Sequence, residues 1–339
     1  MLPQPHLAAL AAPFGLRASK LTFLRFSQNH VYQGRQPDGK LCILRISHGR
    51  HRSAAEVETE LRWISQLADR GISVCASIPP VTGGACLALD LEGAQYIAAC
   101  FEHAPGEAIG PQHLNPALYE CLGRLLGRMH AESLPFRADD PTSTHPHWHQ
   151  SRLLHQDLAA LGTPLTNPFR QSVDALIQDL RAYPATPATY GLIHGDVSFG
   201  NCFLHEGTLW IFDFDNCEYG FFLQDIATVL YDSIYCKALN KFADTGLTAR
   251  MVPLFQAFLA GYSQTGVLKE IDPVPLKKLF LLREAIIYGH YHRTLDVENL
   301  DDSFKAGLEV MRLNVESQTH QVDFDILLAS ADAALRYCS

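Results

Sequence analysis

The sequence is poor in the features that mark membrane, secreted and nucleic-acid-binding proteins. Only 19% of its 339 residues are charged, and the formal net charge is −9. There is no basic run, so the electrostatic footprint that nucleic acid requires is missing. No hydrophobic stretch has the length and purity of a membrane span, and no basic region precedes the apolar N-terminus. We therefore expect no nucleic-acid partner, no membrane partner and no secretory signal.

A disulfide framework is also missing. The nine cysteines are scattered along the chain, and none stands in a C-x-x-C pair. Their odd number and lack of pattern favour reduced thiols in a cytoplasmic protein. Apolar residues make up 47% of the chain, which is ample for a sizeable core. The length suits two domains or two lobes of one enzyme, and neither an internal repeat nor a low-complexity tract is present.

The run Tyr190–Asp215 contains two short apolar segments on either side of Glu206-Gly207, a pattern that predicts a hairpin. Oxygen-bearing side chains lie before and after this hairpin. Asp196 and Asn201 precede the hairpin, and Asp213 follows it. We expect these three side chains to meet at one edge of the hairpin. Oxygen ligands suit Mg²⁺, whose coordination is often completed by substrate phosphates. The pattern predicts phosphoryl transfer, in which Asp196 accepts the proton of a hydroxyl while Asn201 and Asp213 hold metal.

A plainer interpretation of the same three residues is that they only form turns, where Asp and Asn are favoured. Against it stands their order: H-G-D-x-x-x-x-N, an apolar hairpin, then D-F-D. This order resembles the aminoglycoside phosphotransferase and choline kinase family, a small-molecule branch of the protein-kinase-like fold. Protein kinases have H-R-D-x-x-x-x-N and D-F-G. Gly195 in place of Arg and Asp215 in place of Gly are usual departures in that branch.

The resemblance implies a fold, two cofactors and an acceptor. The implied fold is α+β with two lobes: a small antiparallel-sheet lobe with one main helix, and a larger, mostly helical lobe. ATP and Mg²⁺ are the implied cofactors, and a small-molecule hydroxyl is the implied acceptor. His194 and Asp225 would support the catalytic loop, Asp225 by binding its backbone.

The first part of the chain predicts the sheet of the small lobe. A short helix at about 6–17 precedes three strands, with a clear turn at Pro37-Asp38-Gly39. The turn Ser27–His30 takes the place of the phosphate-covering loop, and Asn29 is the best single candidate for a nucleotide contact there. An ordinary hairpin turn is the open alternative. Two more strands, Cys86–Leu91 and Tyr96–Phe101, are expected around Glu92-Gly93.

The third strand and the helix after it carry a predicted ion pair. By resemblance, Arg45 in C-I-L-R-I takes the position of the phosphate-binding Lys, although its geometry differs from that of Lys. A solvent-facing strand residue is the alternative. Ser53 and Glu56 form a capping-box pattern at the start of the helix. Glu60 is the expected partner of Arg45, and Glu56 and Glu58 are its competitors.

The segment YIAACFEHAPGEAI resembles the crossing between the lobes. The resemblance implies that backbone groups from Cys100 to Glu102 meet the adenine. We therefore predict a nucleotide-binding lobe over residues 1–101 and a catalytic and acceptor-binding lobe over residues 102–339.

Helices dominate the second part of the chain. They are expected at about 118–131, 151–161, 168–183, 225–240, 248–264, 273–296, 301–317 and 322–337. In the family that the sequence resembles, helices of this region line the acceptor pocket. The candidates for the acceptor pocket are Asp215, Arg283, Tyr288 and His292. The alternative is that these residues have ordinary core or surface roles. His145, His147 and His149 suggest a solvated loop more than a metal site, because Pro, Ser and Thr surround them. His130 is expected to be structural.

The predicted function is ATP-dependent phosphorylation of a hydroxyl group on a small molecule. The sequence does not identify that acceptor molecule. Aminoglycosides, choline or ethanolamine, homoserine, hydroxylysine and methylthioribose are all acceptors within the family that the sequence resembles, and no feature of the sequence selects one. A bacterial protein Ser/Thr kinase is a second interpretation, and the short segment between Asp215 and Asp225 argues against it. A nucleotide-binding pseudokinase is a third, supported only by Arg45 in place of Lys.

Overall fold

The computed structural model describes residues 2–133, 145–162, 167–235, 246–268 and 270–329. The described residues divide into two compact units: 2–108, 145 and 201–215 form the first, and the remainder forms the second. The predicted lobe boundary is 101/102, whereas the contacts divide the chain after Ala108 and add the hairpin to the first unit. Strand pairing explains this difference, because residues 107–108 pair with the hairpin's first strand.

The first unit is built on an antiparallel sheet whose strands pair in the order β1 (Thr22–Phe26), β2 (Asn29–Arg35), β3 (Leu41–His48), β6 (Ala94–Glu102) and β4 (Ser77–Ile78), with β5 (Leu87–Leu91) also paired to β6. The predicted three-strand opening is confirmed, and its second turn closes through a 2.8 Å hydrogen bond from the Gly39 N–H to the Gln36 carbonyl. The elements of this unit are α1 (Gln4–Ala11), β1 (Thr22–Phe26), β2 (Asn29–Arg35), β3 (Leu41–His48), α2 (Ala54–Asp69), β4 (Ser77–Ile78), β5 (Leu87–Leu91), β6 (Ala94–Glu102) and β7 (Glu107–Ala108).

Alternation along β3 separates a core from a polar face. Leu44 and Ile46 are fully buried and pack with α1 and the chain after it in one apolar cluster. Because successive side chains of a strand leave opposite faces, Arg45 and Ser47 point away from that cluster. The helix predicted at 6–17 is shorter in the structure. Helix α1 ends at Ala11, and a 3₁₀ turn that contains Pro13 follows it to Phe14.

The hairpin of the first unit consists of β9 (Cys202–His205) and β10 (Thr208–Ile211), as predicted around Glu206-Gly207. Both turn residues have positive φ, 49° and 77°, which is typical of a two-residue hairpin turn. β7 pairs with β9 on the outer side, and Ile211 forms a bridge with Val74. These pairings anchor the hairpin in the first unit.

The second unit is mostly helical, as predicted. This helical unit and the antiparallel sheet of the first unit together confirm the α+β fold class. Its described residues contain one small sheet, in which β8 (Tyr190–Ile193) pairs with β11 (Glu218–Phe221). Its elements are α3 (Pro116–Ser133), α4 (Arg152–Ala159), α5 (Pro168–Arg181), β8 (Tyr190–Ile193), β11 (Glu218–Phe221), α6 (Phe222–Tyr235), α7 (Leu247–Ser263), α8 (Pro273–Thr294) and α9 (Asp302–Ser317).

Helices α3 and α7 pack closely because glycines remove side chains where they cross. A Cβ at Gly123 would lie 1.9 Å from the Phe258 carbonyl oxygen, and one at Gly261 would lie 2.0 Å from the Glu120 carbonyl oxygen. Any larger residue at these points would force the two helices apart.

Some predictions fall partly outside the described residues. The helix at about 225–240 is seen as far as Tyr235, and the helix at about 322–337 is seen as 324–329. The remainder of each lies outside the described residues, as does much of the loop-rich segment 135–168. Among the helices of the described part of the chain, none combines the length and apolar character needed to cross a membrane.

Candidate active site

The loop that follows β8 is held by a buried carboxylate. Both oxygens of Asp225, at the start of α6, accept hydrogen bonds of 2.8 Å from the backbone N–H groups of His194 and Gly195. His130 Nε2 lies 3.1 Å from the same carboxylate, and His130 Nδ1 lies 2.7 Å from the Tyr262 hydroxyl. This buried network sets the path of the loop that carries Asp196.

The geometry of this loop explains why Gly195 stands where protein kinases have Arg. Its φ is +78°, and a Cβ there would lie 2.3 Å from the backbone oxygen of Asn216. A side chain would therefore be strained in conformation and would clash with the backbone. Glycine at this position is a requirement of the loop.

Asp196 forms an ion pair with Arg283 of α8. The Asp196 N–H also donates a 3.3 Å hydrogen bond to His194 Nδ1. Burial alone would lower the pKa of Arg283, but the charge of Asp196 outweighs burial and raises it. The ion pair therefore favours the charged guanidinium of Arg283, and the Asp196 side chain is only 29% exposed.

A cavity of about 60 Å³ in the second unit adjoins this ion pair. Its polar lining comes from Ser151, Asn216, Glu218, Gln224, Thr228 and Arg283, and Gly195 also lines it. Burial raises the pKa of Glu218 to about 7. The cavity therefore joins a weakly acidic buried carboxyl to the loop of Asp196.

Of the four residues predicted to wall the acceptor pocket, only Arg283 lines this cavity. The rings of Tyr288 and His292 contact each other with centroids 4.4 Å apart and a tilt of 47°, and Tyr288 also packs on Phe169. The helix turn explains this separation, since residues five and nine positions after Arg283 point to other sides of α8. Asp215 belongs to the first unit.

In the first unit, Asn201 and Asp213 stand at the open end of the hairpin. Ile211 is paired with Cys202, and the Phe212 N–H donates a 3.0 Å hydrogen bond to the Asn201 carbonyl. Asp213 comes next, with φ of +70°. A left-handed conformation at a residue other than glycine is strained, and such strain clusters at functional sites. Asp213 also forms an ion pair with Arg25 of β1.

Asn29 is part of the same polar group. It is the first residue of β2 and 3% exposed, so it does not stand at the tip of the turn. Its Nδ2 donates a 2.7 Å hydrogen bond to Asp215, and its Oδ1 accepts one of 2.7 Å from Ser47. Its predicted contact with nucleotide stays a prediction, and its observed role is to orient Asp215.

Two carboxylates next to each other create a demand for a cation. Burial and the charge of Asp213 raise the pKa of Asp215 to about 7. Among the described residues, no three His, Cys, Asp or Glu side chains cluster as a complete metal site. A Mg²⁺ held by one or two carboxylates and by substrate phosphates needs no such cluster. The donor set of Asn201, Asp213 and Asp215 therefore fits a divalent cation.

Arg45 is fixed by a buried carboxylate. Its two terminal nitrogens each donate a 2.8 Å hydrogen bond to the two oxygens of Glu60, which is fully buried. The two other glutamates considered as partners of Arg45 have different surroundings. Glu56 completes the capping box with Ser53, and Glu58 is exposed. Arg45 is therefore not a solvent-facing strand residue.

Sequence reasoning missed Arg52, which also pairs with Glu60. Burial alone would raise the pKa of Glu60, but Arg45 and Arg52 outweigh it and lower the pKa to about 2. The charges of Glu60, Asp215 and Asp213 likewise raise the pKa of Arg45, against the effect of burial. The two cations therefore keep the buried Glu60 carboxylate charged, and the neighbouring carboxylates keep Arg45 charged. No local signal marks Arg52, which lies just before the helix cap.

The predicted adenine contacts lie at the end of β6. Cys100 is inside the sheet, with Leu44 of β3 and Ile78 of β4 as its neighbours on the two sides. Glu102 is the last residue of β6, and its N–H donates a 2.9 Å hydrogen bond to the Ala76 carbonyl. The strand therefore ends at Glu102, while Cys100 belongs to the core. Their role in binding adenine stays a prediction.

The prediction of a solvated loop is wrong for His145, which is 6% exposed and belongs to the first unit. Burial and the charge of Arg52 lower its pKa to about 4. His147 and His149 are half-buried and belong to the second unit, where His147 Nδ1 lies 2.8 Å from the Tyr190 hydroxyl.

Because His145 is buried, we expect the free energy of unfolding to decrease in acid. The folded chain takes up the His145 proton only near pH 4, whereas the unfolded chain does so near pH 6.5. The free energy of unfolding should therefore fall between pH 6.5 and 4, by up to about 3 kcal/mol from this group. Urea unfolding of wild type and His145→Gln across this range measures the effect, which the variant should lack. The exposed His205→Gln is the control, and a slope equal in all three proteins would contradict the prediction.

Known proteins are similar in sequence to this chain over most of its length. A model of the family described as "Phosphotransferase enzyme family" matches residues 25–263. Amicoumacin kinase of Bacillus subtilis (strain 168) is 29% identical over 323 residues, which are 94% of this chain and 94% of that protein.

Two solved structures are also similar to this chain over most of its length. One of amicoumacin kinase hAmiN, in complex with AMP-PNP, Ca²⁺ and Ami, has a TM-score of 0.82 at 29% identity and covers 91% of this chain and 92% of that one. One of a microcompartment-associated aminopropanol kinase has a TM-score of 0.68 at 18% identity and covers 93% and 96%. At that identity the second likeness concerns the fold alone.

Proposed function

The chain belongs to the phosphotransferase enzyme family, since the family model matches residues 25–263, and from this membership we propose its reaction and its site. The resemblance seen in H-G-D-x-x-x-x-N and D-F-D is thereby confirmed, and the protein is a phosphotransferase enzyme. The reaction we propose is transfer of the γ-phosphate of ATP, with Mg²⁺, to a hydroxyl group of a small molecule.

The observation that carries this proposal is the charge arrangement of the first unit. Arg45 is held in a fixed, two-pronged pair by Glu60 and interacts with the charges of Asp213 and Asp215. A fixed cation beside carboxylates suited to a divalent metal is what binding of a metal-bound triphosphate requires. The bound metal would neutralise charge on the phosphates, and Asn201 and Asp213 are the residues that would hold it.

The residues of the second unit serve the hydroxyl acceptor in this proposal. Asp196 orients the hydroxyl and accepts its proton, and its ion pair with Arg283 favours the ionised form needed for that role. Asp225 holds the loop through two backbone hydrogen bonds. His194 supports it through the hydrogen bond that the Asp196 N–H donates.

The relatives support the nucleotide and the acceptor class. Amicoumacin kinase matches this chain along nearly its full length, and the hAmiN structure holds AMP-PNP and a divalent cation. Both observations favour a nucleoside triphosphate and a metal here. The named kinases act on small molecules, which supports a small acceptor in place of a protein.

An ATP-consumption screen tests the proposal. Wild-type protein with Mg²⁺ is offered a panel of hydroxyl-bearing small molecules, and the phosphorylated product is identified by mass spectrometry. We expect turnover with one acceptor class well above the rate without acceptor, and loss of that turnover when a chelator removes Mg²⁺. Binding of ATP without transfer to any acceptor would favour the pseudokinase alternative. Failure to bind ATP would refute the assignment of Arg45 and Asp213.

A further inference from the structure

The cavity of the second unit contains buried hydrogen-bond acceptors that the proposed chemistry does not use. Glu218 is 7% exposed, and its carboxyl accepts a 2.9 Å hydrogen bond from Gln224 Nε2 and another from the side chain of Ser151. Within the described part of the chain, Glu218 forms no ion pair. Among the described side chains, Arg283 is the one cation that lines the cavity, and it is already paired with Asp196.

A second acceptor lies in the same lining. Gln224 Oε1 is buried and has no hydrogen-bond partner among the described residues. A buried oxygen without a donor costs free energy that a ligand N–H group can recover. The cavity therefore presents a carboxyl and an amide oxygen, both suited to N–H donors.

The cavity also adjoins the residue proposed to receive the hydroxyl proton. Gly195 lines it, and Gly195 directly precedes Asp196. Arg283 lines it as well and contacts Asp196 through its guanidinium. A group bound in the cavity and a hydroxyl at Asp196 can therefore belong to one small molecule.

We propose that this cavity binds the primary ammonium group of the acceptor, with Glu218 as its counter-charge and Gln224 as a second hydrogen-bond acceptor. The proposal rests on the proposed function and narrows its substrate class to alcohols that also carry a primary amine. Choline-like acceptors are disfavoured, because a trimethylammonium group has no N–H to donate. Such a group is usually held by several aromatic faces, and Trp148 is the one aromatic residue among the described residues of the lining.

The size of the cavity agrees with a small head group. A volume of about 60 Å³ accommodates a few non-hydrogen atoms, since one water molecule occupies about 30 Å³ of the liquid. The remainder of a larger acceptor would lie outside the cavity.

Matched ligands test the proposal without nucleotide. Ethanolamine, choline and ethylene glycol share two carbons and a hydroxyl and differ only at the nitrogen position. Binding to wild type, Glu218→Gln and Glu284→Gln is measured by calorimetric titration. Glu284 is the matched control, because burial raises its pKa to about 7 as well, yet it bonds to Tyr235 and Asn314 and does not line the cavity. We expect ethanolamine to bind the wild type and the control best, and the Glu218 variant about ten- to a hundredfold more weakly.

Other outcomes would overturn the proposal: choline binding as tightly as ethanolamine, ethanolamine binding unchanged by Glu218→Gln, or no binding of ethanolamine. If circular dichroism shows that Glu218→Gln does not fold, Gln224→Leu tests the same cavity and should also weaken ethanolamine binding. Because the titration contains no ATP, it is independent of phosphoryl transfer. An Asp213→Ala protein, inactive under the proposed function, should still bind ethanolamine.

The pH dependence of binding gives a second readout. Burial and the nearby Asp225 raise the pKa of Glu218, whereas Gln224, Ser151 and Arg283 lower it, and the result is about 7. Glu218 is therefore mostly protonated at pH 6 and ionised at pH 8, while ethanolamine stays protonated throughout. Ethanolamine affinity should rise about tenfold from pH 6 to pH 8 in the wild type. It should not rise in Glu218→Gln, and an equal rise in both would contradict the assignment.

Discussion

Replacing Asp196 by Asn is expected to lower kcat about 10²- to 10⁴-fold, because the amide cannot accept the proton of the acceptor hydroxyl. ATP binding should be unchanged, since the residues proposed for phosphate and metal belong to the first unit. The measurement is phosphoryl transfer to the acceptor found in the screen, together with ATP affinity by calorimetric titration. Retention of full kcat would remove Asp196 from the reaction.

Asp179→Asn is the matched control for this experiment. Asp179 also pairs with a cation from α8, Lys278, at 2.6 Å, but it is 54% exposed and lies outside the cavity lining. Its substitution should leave both kcat and ATP affinity within about twofold of wild type, since exposed ion pairs contribute little. A loss of activity of the same size in both variants would mean that the ion pair with α8, and not proton transfer, explains the Asp196 effect.

Replacing Glu60 by Gln is expected to lower the free energy of unfolding by about 3–5 kcal/mol, because two buried guanidinium groups would lose their shared counter-charge. Arg45 and Arg52 are 5% and 7% exposed, so solvent cannot compensate for that loss. Urea unfolding at pH 7.5 measures the change. ATP affinity should fall as well, because Arg45 would no longer be held in place.

The control for this variant is Glu58→Gln on the same helix. Glu58 is exposed, so its substitution should change the free energy of unfolding by no more than about 0.5 kcal/mol. If Glu60→Gln changed the free energy of unfolding equally little, other carboxylates would compensate Arg45 for the loss of the Glu60 charge. Asp215 and Asp213 are the candidates, because their charges also act on Arg45.

Local patterns account for most of the elements that were predicted correctly. The capping box at Ser53 and Glu56 marks the start of α2, and both of its hydrogen bonds are present. Apolar alternation and the Glu206-Gly207 turn locate the hairpin. Such signals lie within a few residues of what they determine, so they can be read without the fold.

Strand β11 and the end of α1 were not predicted correctly. The sequence Glu218-Tyr-Gly-Phe has neither strict alternation nor a run of branched residues, yet all four residues are buried against β8. Its strand conformation is therefore decided by tertiary pairing. At the N-terminus, Pro13 and the left-handed Gly15 end the helical run before the predicted residue 17.

By itself the sequence determined the family, the order of the helices and strands, and the loop and hairpin that carry Asp196, Asn201 and Asp213, because each of these is written in adjacent residues. Only the tertiary structure decided which side chains surround them. Arg283 reaches Asp196 across 87 positions, and Asn29 reaches Asp215 across 186. The pKa of Glu218 is raised because the fold buries its carboxyl and brings Asp225 near it. Charge, burial and partners at such separations depend on packing, and no local pattern in a single chain encodes them.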